Sequence, residues 1–248
     1  MIKRLSISVV LILMMTVSGY IIFNQHNTRC MLVGISKMEN HGDNIYVSPD
    51  ATEMEIANCL TLVKTAKERN RNLWGSLESN PVFIFCTKWD DYYEYGMYRT
   101  QAMSRMNFTG EYVIIGPDGL NADDVSHEMC HTELYTRVGY FNDRNIPLWF
   151  HEGISMLVCK NYPDSYKGYL KEWHTMIKSG PEILPLHKIT VENDFYASPS
   201  RSDLAYWRSG MEVMRWYELN GTEGLLKLTN ALANGENFYS TYTEGPGH

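Results

Sequence analysis

Two histidines one helical turn apart constrain this chain more than any other feature. His127 and His131, in the run His127-Glu128-Met129-Cys130-His131, stand at positions i and i+4. On an α-helix that spacing puts both imidazoles on one face, where they can hold a single ion. The pair is half of a zinc site, and a catalytic zinc takes three protein ligands while keeping one position open for water. The stretch that answers it is Trp149-Phe150-His151-Glu152-Gly153. Glu152 is the expected third ligand; His151 is its rival, and only one of two adjacent helical side chains can point at the ion. Glu128, next to the first histidine, is placed to reach the water rather than the metal, which is the position of a general base.

The local pattern supplies what such a pair requires. Residues 111–115 read as a strand, closed by the turn residues Gly116-Pro117-Asp118-Gly119. A helix is expected from Asp123 or Asp124, whose charges suit a helix N-terminus, to Gly139. Residues 140–146 read as loop, and Pro147 opens a second helix carrying Trp149, Glu152, Met156 and Cys159 at spacings of three and four.

Elsewhere strand-like and helix-like stretches alternate. Residues 45–47 and the apolar run 81–87 read as strands; Asp50 or Thr52 caps a helix to about Arg69, and a short aromatic helix spans 90–95. The last third is helical, with helices from 164 or 165 to 178, from 202 or 203 to 219, and from 222 to 234. The expected class is therefore α+β: a small N-terminal mixed sheet with helices, packed on a mainly helical C-terminal half, with the zinc site in the cleft between them. The domain is expected over residues 41–235, after a juxtamembrane linker at 24–40, with a frayed Gly-, Tyr- and Thr-rich tail at 236–248.

The motifs resemble those of the gluzincins, the thermolysin-like and aminopeptidase-like zinc peptidases whose third ligand is a glutamate on the next helix. The resemblance rests on His127-Glu128-xx-His131 followed by Trp149-xx-Glu152-Gly153. It implies His127, His131 and Glu152 as zinc ligands and Glu128 as the base. Tyr206-Trp207-Arg208-Ser209-Gly210 is similar to the family's Tyr-x-Lys-Gly stretch, with the glycine one place later, which implies Tyr206 as the donor to the oxyanion. The aminopeptidase branch carries Gly-x-Met-Glu-Asn on the strand before the motif helix. Here Met38-Glu39-Asn40 falls far too early, so exopeptidase specificity is not supported. No glycine and third histidine follow His131 at the spacing of the metzincins.

Charge and the N-terminus limit the partners. The net charge is -7, and no Lys/Arg run occurs beyond the first few residues, which argues against nucleic acid. Lys3 and Arg4 precede an apolar run over residues 5–23, a signal anchor or, with Val17-Ser18-Gly19 as cleavage site, a signal peptide within residues 1–23. Either reading places the remainder outside the cytoplasm, anchored or secreted. The five cysteines are an odd number and contain no CxxC, so they read as small buried hydrophobes with one bridge at most. The expected activity is zinc-dependent hydrolysis of peptide bonds in a peptide or protein substrate. The alternative is a non-catalytic extracytoplasmic module that retains the fold.

Overall fold

The computed structural model describes residues 25–97, 100–107, 109–177 and 184–243. The expected anchor at 5–23 lies outside the described residues, and no helix among them is long and apolar enough to cross a membrane. The architecture is α+β, with a five-stranded mixed sheet in the N-terminal half and a mainly helical C-terminal half.

Strands β1 (Glu39–Asn40), β2 (Ile45–Val47), β3 (Val82–Phe85), β4 (Ala102–Asn107) and β5 (Gly110–Ile115) form one sheet in the order β1-β2-β3-β5-β4. The three inner strands are parallel and the two edge strands antiparallel. Both faces are covered, which is why the inner strands read as continuous apolar runs. Helices α1 (Gln25–Met31) and α3 (Trp89–Tyr95) bring Cys30, Tyr92 and Tyr95 against Ile84, Tyr112 and Ile114. On the other face Phe83, Phe85, Val113 and Ile115 meet Leu62, Val63 and Ala66 of α2 (Glu53–Trp74) and Val125 and Met129 of α4 (Ala122–Val138).

The helix α2 starts at a capping box: Thr52 Oγ1 accepts from the Glu55 amide while the Glu55 carboxylate accepts from the Thr52 amide. It runs five residues past the expected end at Arg69. The polar run there is held in place, since buried Asn70 donates to Ser126 O at 3.0 Å, and Leu73 and Trp74 are buried against the helical half. Asn121, rather than Asp123 or Asp124, caps α4, its side chain accepting from both of their amides.

In the helical half the short α5 (Tyr140–Asp143) occupies part of the expected loop and leads to α6 (Leu148–Met156). Then come α7 (Tyr166–Ile177), a short α8 (Glu192–Phe195) and the long α9 (Pro199–Ala233). The helix α9 is broken only at Gly221, where φ is +61°, so the two expected helices form one kinked element. It begins at Ser198, whose side chain accepts from the Arg201 amide.

Two expectations are corrected. Residues 25–40 are built into the fold: Cys30, Val33 and Met38 are buried on the back of the sheet and β1 pairs with β2, so a linker over 24–40 does not describe them. Residues 236–243 are no frayed tail. Helix α10 (Phe238–Thr243) buries Phe238 and Tyr242 against Trp149 and Phe150, with ring centroids 5.1 to 5.7 Å apart. Residues 111–115 are the expected strand, inside the sheet as β5, and the edge beyond them is β4, whose sequence lacks β-branched residues.

The crossing of α6 over α9 is close because Gly153 has no side chain. A Cβ there would lie 2.6 Å from Ser209 O and 2.6 Å from Val213 Cγ2. Gly153→Ala should therefore push the two helices apart, lowering stability by about 1–3 kcal/mol in urea denaturation and shifting the adjacent Glu152. Unchanged stability in that variant would show that the crossing has slack.

Candidate metal centre

Helix α4 presents His127 and His131, and α6 brings Glu152 to them. His127 Nε2 lies 3.1 Å from His131 Nε2 and 3.1 Å from Glu152 Oε2, and His131 Nε2 lies 3.6 Å from the same oxygen. Ligand atoms around a tetrahedral zinc at 2.0–2.1 Å stand about 3.3 Å from one another, so these three separations bracket the required triangle. Among the described residues they form a group of His, Cys, Asp or Glu able to hold a metal ion. The rival His151 turns away, its Nε2 3.5 Å from Asp143 Oδ1.

The atoms behind the triangle fix its orientation. Ser155 Oγ lies 3.2 Å from His131 Nδ1, and Cys159 Sγ lies 3.9 Å from His127 Nδ1, so both rings keep Nε2 for the site. Ser155 and Cys159 follow Glu152 by three and seven residues, on the same side of α6 and its C-terminal extension. That spacing was a readable signal. Tyr196 had none: it follows α8 and donates its hydroxyl to Glu152 Oε1 at 2.6 Å.

Charge at the site is strongly perturbed. Burial would lower the His127 pKa, but hydrogen bonds to Cys159 and Glu152 and the Glu152 charge outweigh it and hold the imidazole well above its ordinary 6.5. Burial would raise Glu152, but the charge of His131 and hydrogen bonds from both histidines hold it well below 4.5. Both shifts favour the charged forms, an imidazolium facing a carboxylate.

The remaining expected residues lie around the same cleft. Glu128 is only half-buried and follows His127 on α4. Tyr206, on α9, sets its ring 6.2 Å from that of His127. Burial first, then the charges of Glu152 and Glu128, raises the Tyr206 phenol well above its ordinary value. Burial and, among weaker causes, the Glu128 charge push Tyr92 up to about 12. The expected ligands, base and tyrosine are brought together in one place.

Two imidazoles and one carboxylate are the donor set of catalytic zinc sites, and the triangle fits the ion without rearrangement. No protein-family model, curated protein or solved structure matches this chain.

The two shifts predict opposite pH dependences. The raised His127 contributes stability that is complete below its ordinary 6.5 and is lost as pH rises through its folded value. The depressed Glu152 contributes stability that is complete above 4.5 and is lost as pH falls through its folded value. Metal-free protein should therefore gain most from this pair between pH 4.5 and 6.5. A metal must displace the His127 proton, so calorimetry in buffers of different ionisation enthalpy should read about one proton released per ion at neutral pH. Binding with no proton release would contradict the protonated imidazole.

Proposed function

We propose that the chain is a zinc-dependent peptidase that hydrolyses internal peptide bonds, held at or released from the outer side of a membrane by its N-terminal segment. The observation that carries the reading is the convergence of His127, His131 and Glu152, from two helices, beside a half-buried Glu128 that takes no part in the triangle. When bound, zinc supplies Lewis acidity and lowers the pKa of a water to about 7.

The chain's own groups then have distinct tasks. Glu128 takes the proton of the attacking water and returns it to the leaving amine. The hydroxyl of half-buried Tyr206, whose ring stands 6.2 Å from that of His127, donates to the oxyanion. Buried Ser155 and Cys159 keep the imidazoles turned to the site. Extended substrate is expected along β4, the sheet edge against which α4 packs, where main-chain groups are open to an added strand.

Cleavage within a chain is favoured over removal of its first residue. Amine recognition needs a carboxylate free to face the site from the strands beside the motif helix; β4 reads Ala-Met-Ser-Arg-Met-Asn, and Glu111 of β5 is engaged by the Thr136 hydroxyl in the C-terminal half of α4. Glu39 sits on β1, at the opposite edge of the sheet. Peptides with blocked N-termini should therefore be cut as well as free ones.

Glu128→Gln tests the reading. The amide keeps the shape but cannot accept the proton, so zinc content and folding should stay unchanged while turnover falls by about 10²–10⁴-fold. Should the zinc-loaded wild-type chain cut nothing in a library of unstructured peptides, blocked and free, a non-catalytic binding module becomes the better account.

A further inference from the structure

We propose that Tyr196 is a positioning residue of the metal centre: its hydroxyl occupies one oxygen of Glu152 so that the carboxylate offers a single oxygen to the ion, and it holds Tyr206 beside the site. The proposal deepens the hydrolytic reading and rests on it.

The division of the carboxylate is explicit in the geometry. Oε2 faces the two imidazoles at 3.1 and 3.6 Å, while Oε1 accepts the Tyr196 hydroxyl at 2.6 Å. A phenol has one proton, and an ionised carboxylate can only accept, so that proton is committed to Glu152. The 3.5 Å contact between the Tyr196 and Tyr206 hydroxyls then leaves Tyr206 as the donor. At 3.5 Å that contact is loose, so the Tyr206 proton remains available to a developing oxyanion. Removing Tyr196 frees Oε1 to swing in as a second oxygen, filling the position that a catalytic site keeps open.

The surroundings show that this side chain is placed for its hydroxyl rather than for packing. Tyr196 is 45% exposed, whereas the preceding Phe195 is fully buried and packs edge-on against Tyr206 at 5.1 Å. Phe195 anchors the segment. Arg201 fastens it further, donating from Nε to Asp194 O at 2.7 Å and from Nη2 to Lys188 O at 2.9 Å. Tyr196 is left with a ring nearly half exposed and a hydroxyl spent on a buried carboxylate.

The test is Tyr196→Phe in the full-length chain, read by competition of zinc with a chromophoric chelator, by the cobalt(II) visible spectrum, and by melting of the metal-free protein. Zinc affinity should fall about 10–100-fold, the range for losing a partner behind a metal ligand. The cobalt bands should weaken, as they do when the coordination number rises, and metal-free melting should move by a few degrees at most. Wild-type affinity and an unaltered cobalt spectrum in the variant would overturn the proposal while leaving the metal reading intact. So would a collapse of the metal-free fold, which would make Tyr196 a structural residue. A wild-type chain that takes up neither zinc nor cobalt would defeat the hydrolytic reading itself, and this proposal with it.

Discussion

A carboxylate 95% removed from solvent is costly unless its charge is answered, and the rest of this structure depends on how Glu152 is answered. Its effective desolvation cost is several kcal/mol, and breaking such a pairing by deleting one partner typically costs about 3–5 kcal/mol. Glu152 meets two imidazoles on one oxygen and a phenol on the other. The partners come from two segments: both histidines from α4, and Tyr196 from the turn after α8. The fold must therefore hold α4, α6 and the 195–198 turn in one register, and the packing around α6 is arranged accordingly. Gly153 lets α9 approach on one side, and the Trp149, Phe150, Phe238 and Tyr242 cluster holds the N-terminal turn of α6 on another.

Helix α4 joins the two halves because it has no single apolar face. Val125 and Met129 pack on the sheet, while Cys130, Leu134 and Val138 pack in the helical core. What remains is the strip carrying His127, Glu128 and His131, which is why the site lies at the junction. Its C-terminal half is tied down by a buried polar knot: Glu133, wholly buried, accepts from the Glu78 and Ser79 amides and from Arg137. A rigid α4 keeps the two Nε2 atoms in register whether or not an ion is bound, so a loaded site would need little rearrangement.

Periodicity made much of this legible. The i, i+4 histidines, the helical glutamate beyond them, the apolar inner strands and the Gly139 stop all act through local geometry, and all are found where local geometry puts them. What escaped was stabilised from a distance. The strand β4 exists because β5 pairs with it, not because Ala-Met-Ser-Arg-Met-Asn favours extended backbone. The helix α10 exists because Phe238 and Tyr242, four residues apart, find an aromatic pocket, although the surrounding composition is that of a tail. Tyr196 lies 44 residues from the carboxylate it binds, and nothing in its neighbours announces the contact. His151 and Glu152 illustrate the limit differently. Adjacent positions must diverge, but only the placement of Asp143 shows which of the two turns inward.

The odd cysteine count, which sits awkwardly with an oxidising compartment, has a physical resolution. All five cysteines are buried and none is bridged. Burial pushes the thiols of Cys30, Cys59 and Cys130 up to about 12 and that of Cys86 well above its ordinary value. The reactive species is the thiolate, so a thiol at that value is about five orders of magnitude short of half-ionised at pH 7. Burial and a raised pKa both slow oxidation and exchange at these four thiols while the domain stays folded. Protection therefore comes from packing rather than from pairing. The same packing sets Cys159 against His127, where it serves as a weak partner to the ring nitrogen while the thiol itself stays out of the cleft.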